Sequence, residues 1–140
     1  MNKQLSKPTS WSEQNKKNTA RLAMWTAAWT LSMALATFGP TFLWGDNSAL
    51  TVIGIIINAA IGVGMIVANK NQIKGLDELQ QKIHLEAMAI ALGVGVVFGL
   101  SYSLLDITNI ISFDAEIGHL VMLISLTYLV FLARGRKSYQ

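Results

Sequence analysis

Residues 76–106 read LDELQQKIHLEAMAIALGVGVVFGLSYSLLD. The stretch begins charged and ends apolar. Asp77 is placed to cap a helix, and Gln80 three residues on completes a capping-box-like pair. No proline interrupts the run from there to Asp106. The last charge before that aspartate is Glu86, and about twenty uncharged residues separate the two, the length a helix needs to cross the hydrocarbon core. The pattern predicts one helix that climbs from water into a membrane.

The rest of the 140-residue chain agrees with that reading. Hydrophobic residues make up 52% of it and charged residues only 14%, against roughly 25% in a soluble domain. A soluble helical protein needs charged faces on its helices, and long parts of this chain have none. There is no cysteine, which excludes disulfides and thiolate metal sites and leaves the redox compartment open.

Upstream, residues 1–18 are polar, with Lys3, Lys7, Lys16 and Lys17 among Ser, Thr, Asn and Gln. They read as a mobile, solvated tail, with Leu5 and Trp11 able to rest on a membrane surface. Residues 19–137 read as a four-helix transmembrane domain, with spans at about 22–43, 49–68, 85–105 and 117–133, the last near the short limit. Residues 138–140 form a short tail. In the first span, Trp25 and Trp44 suit the two interfacial belts, and Gly39-Pro40 can kink or end the helix. Ala34-Leu35-Ala36 is a weak match to a signal-peptide cleavage site, but the polar region before it is long for a signal peptide, so a retained helix is expected. In the second span Ile and Val abound, and its length decides for helix over strand.

Charge sets the expected orientation. All eleven Lys and Arg fall in the N-terminal region, in the segment between the second and third spans, or after the fourth. The other two loops have no basic residue and carry Asp46, Asp106, Asp114 and Glu116. The positive-inside rule then places both termini and residues 69–84 in the cytoplasm. The expected class is an all-α polytopic membrane protein, four transmembrane helices in a small bundle with both termini cytoplasmic.

Small residues recur every fourth position in the third span: Ala87, Ala91, Gly95, Gly99 and Ser103. Four residues turn a helix by about 400°, so the row drifts slowly and forms a groove that admits another helix. Close approach matters in lipid, where burial alone supplies little drive for association. The second span has two such rows, Gly54-Asn58-Gly62 and Ala60-Gly64-Ala68. The two grooved helices are expected to pack on each other, with a homodimer seam as the competing arrangement.

Polar candidates are few. Asn58 near the middle of its span reads as packing glue ahead of a substrate or ion ligand. Glu86 stands at the entrance of the third span one turn after Lys82, close enough to the interface to meet water or pair with it. His84 titrates near neutral pH when unperturbed, and at an interface it reads first as a solvated side chain. His119 follows Glu116 by three positions at the other surface, and two ligands without a third do not make a zinc site. Asp77, Glu78, Gln81 and Lys82 form a polar helix start, with Glu78 and Lys82 an i,i+4 pair. That start serves equally as a solvated helix end or as a contact for a cytoplasmic partner.

No nucleophile elbow, P-loop, HExxH or dinucleotide fingerprint occurs. Gly93, Gly95 and Gly99 sit inside an apolar span, the wrong context for a nucleotide loop. The basic residues flank spans and need no nucleic acid to explain them. No metal or cofactor is expected.

The run Asp77-Glu78-Leu79-Gln80 through Glu86-Ala87 resembles small bacterial inner-membrane proteins of uncharacterised function that carry a D-E-x-Q-x-x-I-x-x-E-A stretch leading into a span. Ser101-Tyr102-Ser103-Leu104-Leu105-Asp106 is similar to the end of that span. The resemblance covers about thirty residues, roughly one helix long enough to span. It implies a multi-pass protein of the bacterial inner (cytoplasmic) membrane and carries no catalytic residue with it. Small multidrug exporters also have four spans, but they need an acidic residue in the first, and residues 22–43 have none. The expected function is therefore non-enzymatic. The protein works through contacts with a protein partner or a second copy, in the lipid bilayer, as an accessory or regulatory component. An oligomeric transporter or channel using Asn58 and Glu86 is the alternative.

Overall fold

The computed structural model describes residues 6–139, with side chains from Trp11 onward. Leu5 and Lys3 of the expected tail lie outside the described residues. Four helices account for the fold: α1 Ser6–Gly39, α2 Ser48–Lys74, α3 Glu78–Ile107 and α4 Ile117–Ser138. All four are long and apolar enough to cross a membrane. The contacts divide the chain into two units, Met1–Leu76 and Asp77–Gln140, each a helical hairpin.

The first unit pairs α1 with α2. From Ser6 onward the polar N-terminal segment is helix, not the tail the sequence suggested. The helix extends past the end of its partner. Asn18 Nδ2 stands 2.8 Å from where a Cβ on Gly75 would lie, so α1 runs beside α2 to the very end of that helix. At 34 residues α1 is about 51 Å long, and α2 with 27 residues about 40 Å, both longer than the hydrocarbon layer of about 30 Å. The apolar spans are the inner parts of longer helices.

Pro40 ends the regular ladder of α1. It has no N–H to give, and the chain widens into a π-helical turn, Pro40–Trp44. Trp44 folds back over Gly39, where a Cβ would collide with its ring, and its Nε1 donates to Thr51 Oγ1 at 3.0 Å. Gly45 then turns the chain at φ 59°, a conformation that costs glycine little. Asn47 caps α2, its side chain accepting from the Leu50 N–H at 3.3 Å.

The second unit pairs α3 with α4. Asp77 caps α3, accepting from the Gln80 N–H at 2.7 Å. At the far end Asp106 Oδ2 accepts from the Ala115 N–H at 2.9 Å and ties the loop back to α3. The register is antiparallel: added Cβ atoms on Gly95 and Gly99 would meet Ile124 and Leu120, and one on Gly135 would meet Ile83. Ile83, Ala87 and Ala91 are buried along this seam. The outward faces stay apolar, with Leu92, Phe98 and Leu100 each at least 59% exposed. In water such faces would drive aggregation, and in hydrocarbon they cost nothing.

Candidate functional site

The small-residue rows were expected to bring α2 and α3 together. The structure instead fills each groove from within its own hairpin. On α2, Gly54 faces Ala36 at 3.8 Å from its would-be Cβ, Gly62 faces the Trp29 indole at 3.1 Å, and Gly64 lies under the Trp25 ring. Trp25, which the sequence suggested for an interfacial belt, is a packing residue of this hairpin. Ala68, the end of the second row, is 4% exposed. On α3, Ala87, Ala91 and Gly95 are buried, while Gly99 and Ser103 are half-buried. The physical reason is chain connectivity. A short loop delivers the next helix antiparallel and close, so its large side chains reach the notches first.

Asn58 sits among these notches. Its Nδ2 donates to Ser32 Oγ at 2.8 Å and to the Trp29 carbonyl at 3.1 Å, while Ser32 Oγ itself donates to the same carbonyl at 2.8 Å. The amide is held inside one hairpin, in the manner of packing glue. Thr26, Thr30 and Thr127 likewise donate back to carbonyls of their own helices.

His84 was expected to be solvated, and it is buried, at 8% exposure. Its Nδ1 and the Tyr128 hydroxyl are 2.6 Å apart. By the antiparallel register of this hairpin, Tyr128 stands level with Ala91, two turns from His84, so its phenol must run along the small-residue row to reach the ring. A signal for this pair was present in the sequence. His84 lies seven residues before Ala91, on the same helical face, and Leu120, Ile124 and Tyr128 repeat every fourth position on α4.

His119 and Tyr102 form a second, exposed pair at the other end of the hairpin, with Nδ1 and the hydroxyl 3.1 Å apart and the rings edge to face. Phe113 tilts against Tyr102 at 6.3 Å between centroids. His119 therefore turns to Tyr102 rather than to Glu116, with which it shares only a backbone hydrogen bond, His119 N–H to Glu116 O at 3.2 Å. Among the described residues no three His, Asp or Glu side chains gather into a metal-binding group.

At the polar start of α3, Asp77, Glu78 and Lys82 are exposed and Gln81 is half-buried. Of the two expected i,i+4 partners, Lys82 reaches Glu86, at 3.9 Å, and not Glu78. Both partners are more than half exposed, so the pair contributes at most about 1 kcal/mol. Glu78 remains in the first turn, where the helix dipole favours an acid.

The chain matches no family model, no curated protein and no solved structure.

Proposed function

We propose that this is a non-enzymatic, multi-pass protein of a bacterial inner membrane, with both termini cytoplasmic, that acts through protein contacts as an accessory or regulatory component. The observation that carries the proposal is the internal use of its polar groups. Asn58 bonds to Ser32 and Trp29 within one hairpin, and His84 is turned to Tyr128 within the other. A transporter instead aims polar groups into a path across the bilayer. Beyond the apolar layer these helices present polar helix: residues 12–18 of α1 and the start of α3 at Asp77, Glu78, Gln81 and Lys82. These surfaces suit a partner.

Two measurements test the proposal. Reporter fusions after Gln140 and in the loop at Asn47 should report cytoplasm and the opposite side, respectively. A C-terminus on the same side as Asn47 would rule out the four-span topology. In liposomes the purified protein should leave a pH gradient intact. Asn58→Leu should lower stability by about 0.6–2 kcal/mol, the range for interhelical hydrogen bonds in lipid, without changing ion flux. Proton or cation flux abolished by Asn58→Leu or Glu86→Gln, with folding intact, would transfer the protein to the transporters.

A further inference from the structure

At the basic end of the α3–α4 hairpin the seam opens into a concavity of about 280 Å³. Ile90 and Phe131 form an apolar wall. Glu86 from α3 and Arg134, Ser138 and Tyr139 from the end of α4 supply its polar lining. A carboxylate and a guanidinium thus border one small space from two helices. Each has one further, exposed contact. Glu86 has only the loose, exposed approach of Lys82 at 3.9 Å, and Arg134 rests over the Phe131 ring at 5.9 Å from its centroid.

Depth decides what kind of molecule meets these groups. Glu86 stands at the entrance of the third apolar span and Arg134 immediately follows the fourth. Both therefore lie in the interfacial layer, where lipid headgroups reside. The wall of Ile90 and Phe131 leads from that layer toward the hydrocarbon. An anionic headgroup alone would satisfy Arg134 and be repelled by Glu86. A choline headgroup would satisfy Arg134 but has no N–H to donate to the carboxylate. A primary ammonium beside a phosphate meets both charges, each through a charge-assisted hydrogen bond. The volume corresponds to roughly nine water molecules at liquid density, which accommodates the phosphate and its ethanolamine arm.

We propose that this concavity binds the headgroup of a phospholipid bearing a phosphate and a primary ammonium, with Arg134 on the phosphate and Glu86 on the ammonium. The proposal rests on the reading of the chain as a membrane protein. A second concavity on α4, lined by Leu129, Leu132, Ala133, Arg136 and Lys137, has cations only. It would attract any anionic lipid without choosing among headgroups, and it serves as the internal control.

The test is a lipid titration of the full-length protein in mild detergent, read by native mass spectrometry. Phosphatidylethanolamine, phosphatidylcholine and phosphatidylglycerol with identical acyl chains are the probes. Phosphatidylethanolamine should bind about tenfold more tightly than phosphatidylcholine, the factor expected of one added charge-assisted hydrogen bond. Glu86→Gln should reduce phosphatidylethanolamine to the level of phosphatidylcholine. Arg134→Gln should weaken both, and Arg136→Gln should leave the preference unchanged. Circular dichroism on each variant reports folding, and Arg134→Lys replaces Arg134→Gln if the latter fails to fold. Equal binding of the ethanolamine and choline lipids, a preference that survives Glu86→Gln, or phosphatidylglycerol binding tighter than phosphatidylethanolamine that Arg136→Gln leaves intact would overturn the site. Recovery of the chain in the soluble fraction of lysed cells without detergent would overturn the membrane reading itself, and is scored separately.

Discussion

Gly95→Leu is expected to force α3 and α4 apart. An added Cβ there would lie 2.6 Å from Ile124 Cγ1, closer than such atoms approach, and leucine adds three more carbons beyond it. Ile124 is held on a helix whose neighbours Leu120 and Tyr128 also occupy the seam, so it has little freedom to withdraw. Overpacking of this kind costs about 1–3 kcal/mol. Gly93→Leu is the matched control, because nothing lies within 4 Å of its would-be Cβ. That substitution removes a helix glycine from an open face and should be neutral or stabilising by up to about 1 kcal/mol. Unfolding in detergent, followed by circular dichroism, should therefore separate two substitutions only two residues apart. Ile124→Ala in the Gly95→Leu background should restore part of the loss, since the two sites share one space. Equal midpoints for Gly93→Leu and Gly95→Leu would mean the seam does not lie on this face.

Tyr128→Phe should be the costliest change that removes a single atom. The hydroxyl sits 2.6 Å from His84 Nδ1, and the histidine is buried. Without the hydroxyl a buried ring nitrogen loses its partner, a loss of about 1–3 kcal/mol. His84→Leu combined with Tyr128→Phe should cost less than Tyr128→Phe alone, because no polar group is then left stranded. Tyr102→Phe removes the corresponding hydroxyl from the exposed His119 pair, where water takes its place, and should cost under about 1 kcal/mol. A double-mutant cycle on each pair measures the difference. Equal coupling in the two pairs would show that burial is not what distinguishes them.

Much of this molecule is legible in one dimension. Uninterrupted apolar runs require helices in lipid, where every backbone N–H must be satisfied within its own segment. Asp77 and Pro40 mark helix ends by chemistry local to each residue. The small-residue rows identify the packing faces of α2 and α3, since spacing along a helix determines which side chains share a face.

Partners across those faces were not legible. The rows on α2 and α3 look equally able to fit one another, and only the tertiary structure shows Trp25 and Trp29 in one groove and Ile124 and Leu120 in the other. A glycine notch records that something comes close, without recording what. The polar segment before Arg21 carries no apolar run, and its composition suggests a tail. It is helical from Ser6, and Asn18 already faces Gly75 at the end of α2, so the helix continues past its partner, which composition does not express. The same holds for His84. Its residue type and its place at the edge of a span suggest solvation, but a tyrosine 44 positions later removes it from water. The sequence alone determined where the four apolar helices lie and which faces of α2 and α3 pack, because both follow from local spacing. The tertiary structure decided which helix fills each groove and which polar group meets which, because those depend on atoms brought together from distant parts of the chain.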